Sequence, residues 1–142
     1  MITLRHVGLI VDNIEKSLEL YEGIFGFKPR IDQVESGPFY EHLTGIKSGI
    51  ARTCKCYAVD DTCIELIQYI SHNAESRTKE LLSSGFNHIA LNIPDLEVLE
   101  KKLKNIGLIF INSPKINESK TAKVAFCYDF EGNLIELVQV YE

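Results

Sequence analysis

An α+β fold of two tandem βαβββ modules is predicted by three observations on the sequence. The chain repeats itself, each repeat runs through strand-like and helix-like periodicity in the same order, and turn residues fall at matching places in both copies. Near the N-terminus stands His6-Val-Gly-Leu-Ile-Val-Asp-Asn-Ile-Glu15, and near the middle His88-Ile-Ala-Leu-Asn-Ile-Pro-Asp-Leu-Glu97, an offset of 88 − 6 = 82. A second repeat closes each half: Ile64-Glu65-Leu66-Ile67-Gln68 against Ile135-Glu136-Leu137-Val138-Gln139, an offset of 136 − 65 = 71. A module duplicated within one chain explains both. The expected organisation is one domain over residues 1–142, with module one at 1–72, a polar linker at 73–83 and module two at 84–142.

The elements follow in order. Each His-led opening run is short, apolar and rich in β-branched residues, which reads as a strand. Asp12-Asn13 and Pro94-Asp95 are turn and N-cap residues that start a helix. Ile14, Leu18, Tyr21 and Phe25 in the first helix, and Leu96, Leu99, Leu103 and Ile106 in the second, are spaced by threes and fours, the mark of an amphipathic helix lying on a sheet. Gly23, Gly26 and Gly107 sit where those helices stop. The remaining strands are expected at Lys28–Val34, Ile50–Val59 and Cys63–Ile70, then at Leu108–Asn112, Ala122–Tyr128 and Leu134–Val140. Asp60-Asp61 and Asp129–Asn133 are the hairpin turns before each last strand. A short helix is expected around Arg77–Leu82 in the linker. Eight strands in this order form a curved mixed sheet around a central cavity.

Composition narrows the function. The chain is 45% hydrophobic and 25% charged, ordinary for a globular protein with its own core. Its net charge of -5 argues against nucleic acid as the partner, since phosphate contacts need a basic face. No apolar run approaches the ~20 residues that span a bilayer, and no signal-peptide pattern opens the chain. Cys54, Cys56, Cys63 and Cys127 lack the paired spacing of a zinc knuckle and read as reduced, small apolar residues. A cytoplasmic location is expected.

The chemistry lies in the repeats. Taken singly, a histidine on a first strand is more often a core or edge residue, and a glutamate in a strand more often faces water. A carboxylate among Ile and Leu, however, costs several kcal/mol to desolvate unless it is paired or bound to a cation. Both halves carry a histidine on the first strand and a glutamate on the last. If a pseudo-twofold axis relates the modules, His6, Glu65, His88 and Glu136 converge on one point and suit a borderline divalent ion such as Ni²⁺, Zn²⁺, Co²⁺, Mn²⁺ or Fe²⁺.

The repeated His-led strand, the Gly132-Asn-Leu-Ile-Glu-Leu137 ending and the two-module layout resemble the vicinal oxygen chelate superfamily, over nearly the whole chain. That group includes glyoxalase I, methylmalonyl-CoA epimerase, extradiol dioxygenases, and fosfomycin- and bleomycin-resistance proteins. The resemblance implies one divalent metal ion held at the positions of His6, Glu65, His88 and Glu136. Some epimerases have Gln at the second position, where Glu65 stands here, which is closer to bacterial glyoxalase I. The dioxygenases and fosfomycin enzymes use three protein ligands, so the fourth candidate argues against them.

By the same resemblance the activity is that of a metal-dependent lyase or isomerase. It would act on the hemithioacetal of methylglyoxal and glutathione through an enediolate, with Glu136 the leading candidate for the base and Glu65 second. The alternatives are an acyl-CoA epimerase of methylmalonyl-CoA type, a non-catalytic drug-binding or resistance protein, and a metal-bearing regulatory subunit. A homodimer is implied as well. Glu41 in the loop Phe39-Tyr40-Glu41-His42, and Lys120 and Lys123, are further candidates for a base and for anion contacts. His72, in the linker, is expected to be solvated.

Overall fold

The computed structural model describes residues 1–75 and 80–141, which divide into two compact units, Met1–Ser76 and Arg77–Glu142. Unit one runs β1 (Val7–Ile10), α1 (Ile14–Tyr21), β2 (Lys28–Glu35), α2 (Pro38–Thr44), β3 (Ala51–Tyr57) and β4 (Cys63–Tyr69). Unit two runs β5 (His88–Asn92), α3 (Leu96–Asn105), β6 (Lys115–Ile116), β7 (Ala122–Tyr128) and β8 (Leu134–Val140). Each unit is a four-stranded mixed sheet, ordered β1-β4-β3-β2 in the first and β5-β8-β7-β6 in the second. This is the α+β class and the tandem βαβββ plan expected from the repeats.

The first strand of each unit lies parallel to the last, which needs a crossover, and the helix supplies it. Alternation along β4 turns Ile64, Leu66 and Gln68 toward α1, and Glu65, Ile67 and Tyr69 to the opposite face. The core of unit one therefore joins Ile14, Leu20 and Tyr21 of α1 to Cys54, Cys56 and Leu66 of the sheet, all fully buried. In unit two Leu96, Leu99 and Leu103 of α3 play that part, with Ile135 and Leu137 of β8. Burying each such side chain contributes about 1.5–3 kcal/mol.

The glutamine that ends each repeated strand motif has a structural task. Gln68 Oε1 accepts from the Ile14 amide at 2.9 Å, and Gln139 Oε1 from the Leu96 amide at 3.0 Å. With Asn13 and Asp95 capping the same two helices, each helix start is satisfied partly by its neighbouring strand.

The two hairpin turns also correspond: Ala58 N donates to Thr62 O and Asp129 N to Asn133 O, each at 2.9 Å. Asp61 (φ 63) takes the left-handed position that Gly132 (φ 77) fills in the second unit.

The structure departs from expectation in four places. Residues Phe39–His42 are not a loop but belong to α2, with Pro38 in its first turn and left-handed Gly45 (φ 72) ending it. The strand expected at Leu108–Asn112 is reduced to a single bridge between Phe110 and Cys127, and the ladder resumes only after Pro114, in β6. Along α1 the fully buried stripe is Ile14, Ser17, Leu20 and Tyr21, while Leu18 and Phe25 are half-buried. Half of the helix expected at Arg77–Leu82, residues 77–79, lies outside the described residues, and Glu80 to Ser83 is a turn closed by Ser83 N donating to Glu80 O. All four cysteines are free and buried, and burial pushes the Cys127 thiol up to about 12, so it is a poor nucleophile. Among the described residues no helix is long and apolar enough to cross a membrane.

Candidate metal centre

The strand registers dictate which side chains meet. In unit one Gly8 pairs with Glu65 across the parallel β1/β4 ladder, and in unit two Ala90 pairs with Glu136 across β5/β8. Residues two apart on a strand share a face, so the histidine two before Gly8 and the one two before Ala90 both reach the glutamate of the neighbouring strand. His6 Nε2 lies 3.0 Å from Glu65 Oε2, and His88 Nε2 lies 3.1 Å from Glu136 Oε2. One register, repeated, makes the same pair twice.

Among the described residues no group of three or more His, Cys, Asp and Glu side chains is gathered; each unit holds one His–Glu pair of this kind. The chemistry of each half fits a cation. Asn87 Nδ2 donates to the Leu81 carbonyl at 3.0 Å, which orients the amide and turns Oδ1 toward His88 Nδ1 at 2.7 Å. An amide oxygen only accepts, so Nδ1 carries the proton, and in the neutral ring Nε2 presents its lone pair to Glu136 Oε2. Two lone pairs 3.1 Å apart call for a positive centre between them, a proton or a metal ion. Histidine ligands are commonly held this way by a partner on the second nitrogen.

The two halves differ in detail. His6 Nδ1 is buried with no hydrogen-bond partner among the described residues, so His6 lacks the lock that Asn87 gives His88. Glu65 is 8% exposed and shares its carboxylate: Lys55 Nζ lies 3.1 Å from Oε1 while His6 holds Oε2. Glu136 is more open, and the residue opposite it is Phe126, whose ring meets His88 edge-on at 5.7 Å. Lys55 follows from the sequence only through the hairpin register that sets it opposite Glu65, and Asn87 does not emerge from it, because its effect depends on the Leu81 carbonyl that orients its amide.

The Asn87 geometry carries a prediction. Asn87→Ala frees the His88 tautomer and should weaken Zn²⁺ binding about 10- to 100-fold, the usual range for removing a partner of a metal-binding histidine. Competition with a chromophoric chelator measures it, and wild-type affinity in the variant would show that the amide sets nothing.

The other residues singled out from the sequence fall elsewhere. Glu41 Oε2 accepts from the Ser48 amide at 3.0 Å and thereby ties α2 to the following turn. Tyr40 of the same helix meets the Tyr69 hydroxyl at 3.3 Å, which puts α2 on the sheet face that carries Glu65. Burial first, then the Tyr69 contact, then the charges of Glu35 and Glu65, push the Tyr40 phenol far up. Lys123 Nζ lies 3.4 Å from Glu97, and Lys120 stands in a turn with φ 57. His72 is exposed beside Ser71, in the wall of a polar cleft of about 370 Å³ that neither His6 nor Glu65 lines.

Known proteins resemble the chain in sequence and fold. The chain is 27% identical over 137 residues to lactoylglutathione lyase of Neisseria meningitidis, covering 96% of this chain and 89% of that protein. It is 28% identical over 141 residues to the mitochondrial methylmalonyl-CoA epimerase of Dictyostelium discoideum, covering 94% and 76%. It is 26% identical over 145 residues to glyoxalase I of Saccharomyces cerevisiae, of whose length it spans 42% against 94% of its own. Among solved structures, a glyoxalase family protein from Bacillus cereus superposes with a TM-score of 0.89 at 16% identity, covering 100% of this chain and 96% of that one, a likeness of fold. The family model of the Glyoxalase/Bleomycin resistance protein/Dioxygenase superfamily matches residues 5–128, from just before His6 to the end of β7. The chain is therefore a member of the glyoxalase/bleomycin resistance protein/dioxygenase superfamily.

Proposed function

We propose that the protein is a divalent-metal-dependent lyase of glyoxalase I type, acting on the hemithioacetal formed by methylglyoxal and a thiol such as glutathione. One observation carries this reading: the His–Glu pair, made twice at one strand register, with Nε2 to Oε2 distances of 3.0 and 3.1 Å. The relatives named lactoylglutathione lyase support it. The ligands would be His6, Glu65, His88 and Glu136, and a divalent ion held by them supplies Lewis-acid polarisation of a carbonyl.

The chain's own residues supply the proton chemistry. Glu136 is the better placed base of the two carboxylates, because its side chain is 27% exposed and that of Glu65 only 10%. Glu136 would take the proton from the carbon that bears the hydroxyl and the sulfur and return it to the neighbouring carbonyl carbon, and passage of the hydroxyl proton to the other oxygen completes the isomerisation. Asn87 orients the His88 ring, so that His88 Nε2 and Glu136 Oε2, 3.1 Å apart, would reach the same ion side by side. Buried, free thiols throughout suit a reducing compartment such as the cytoplasm.

The test is reconstitution of the purified protein with Ni²⁺ or Zn²⁺, metal analysis, and assay of the hemithioacetal. About one ion per chain, with turnover, is expected from a single four-ligand set. Turnover of methylmalonyl-CoA instead would move the activity to the epimerase class, to which the 28% identical relative belongs by name. Metal-loaded protein that turns over neither compound sinks the enzyme reading.

A further inference from the structure

The strand position opposite the glutamate distinguishes the two units. In unit two the ladder partner of Glu136 is Phe126, and in unit one the ladder partner of Glu65 is Lys55. The fold accepts an aromatic residue at that position, so nothing in the βαβββ plan requires a lysine. A lysine there is costly: its side chain is 17% exposed, and a largely buried ammonium needs a compensating charge. Among the described residues its one ion-pair partner is Glu65, at 3.1 Å, and Glu65 is itself a proposed metal ligand. Two residues back on the same face, Thr53 is 2% exposed with its hydroxyl unpartnered, so the strip beside Lys55 holds an unused polar group.

We propose that Lys55 is a substrate-binding residue that meets an anionic oxygen carried beside the reacting carbon, once a divalent cation has taken over Glu65. The inference rests on the four-ligand reading above and adds the charge of the bound molecule to it. A divalent ion that takes up Glu65 leaves the Lys55 ammonium, 17% exposed, without its ion-pair partner among the described residues. An anionic oxygen of the bound molecule restores the pairing. Lys55 alternates between two anions: Glu65 in the metal-free protein, and the substrate oxyanion in the loaded one. Metal and anion then bind with positive coupling through Lys55, beyond whatever direct coordination contributes.

The experiment is calorimetric titration of wild type, Lys55→Met and Lys55→Arg with Zn²⁺, and of each Zn²⁺-loaded protein with oxalate. Removing the ammonium removes a competitor for Glu65, so Lys55→Met should bind Zn²⁺ more tightly than wild type. The same variant should bind oxalate about tenfold more weakly, within the usual span of coupling between two bound ligands, and Lys55→Arg should recover part of that loss. Shifts of opposite sign separate this role from a structural one, which would weaken both. If Lys55→Met fails to fold, Lys55→Gln carries the same comparison.

Where turnover is measured, a carboxylate already present on the substrate shows as a raised KM. An oxyanion formed only during reaction shows as a lowered kcat. Unchanged oxalate affinity in a Lys55 variant that still takes up Zn²⁺ overturns the proposal and leaves the metal reading standing. A wild-type protein that takes up no Zn²⁺ overturns both.

Discussion

Glu136→Gln in the metal-loaded protein should lower kcat on the hemithioacetal by about two to four orders of magnitude, the range that loss of a general base spans. Glutamine keeps an oxygen for the metal and nearly the same volume, but it has no basic lone pair of comparable strength. The choice of Glu136 over Glu65 rests on access: the Glu136 side chain is 27% exposed and that of Glu65 10%. Metal content should stay close to wild type, which separates a lost base from a lost ligand. Initial rates and metal analysis on one preparation give both numbers. Full activity in the variant moves the base to Glu65, or to Glu41, which would then have to release the Ser48 amide it now accepts from.

Much of this site was readable because duplication prints the same constraint twice. The histidine and glutamate of each repeat stand in a fixed order around a crossover helix, and a parallel ladder between first and last strand brings them together. The same repetition shows the glutamine three positions on, but its role needs the structure, since the amide it caps lies over fifty residues away for Gln68 and Ile14.

Lys55 left a fainter trace. A hairpin centred on Asp60 pairs residues whose numbers sum to 120, as 55 and 65 do, so the Asp60-Asp61 turn together with Glu65 points to Lys55. Following that register from the turn would have revealed the asymmetry with Phe126. Asn87 left no such trace. Its effect on His88 depends on the Leu81 carbonyl that orients its amide, a contact no local pattern specifies. Two elements were misread for local reasons. The seven-residue α2 is too short for helical periodicity to stand out, though Pro38 and Gly45 bracket it. The apolar run at Leu108–Asn112 has strand composition but finds only one bridge on β7, at Phe110.

Metal should stabilise the fold in proportion to its free concentration, and this effect should vanish with the ligands. Without a cation each unit holds an imidazole nitrogen and a carboxylate oxygen 3.0 or 3.1 Å apart, a contact made favourable only by a proton. A ligand that binds the folded state alone adds about 2.7 kcal/mol at a hundred times its dissociation constant. For a chain of this size that corresponds to a rise in Tm of about 5–10 °C. The measurement is thermal unfolding of chelator-treated protein across a Zn²⁺ titration, followed by circular dichroism. His6→Ala combined with His88→Ala leaves both sheets intact, because each histidine stands at the edge of its ladder, so the double variant should fold. It should melt without any metal-dependent rise. A wild-type curve that ignores Zn²⁺ would mean that protons alone bridge these pairs. A double variant that still responds would mean that the metal sits on other residues.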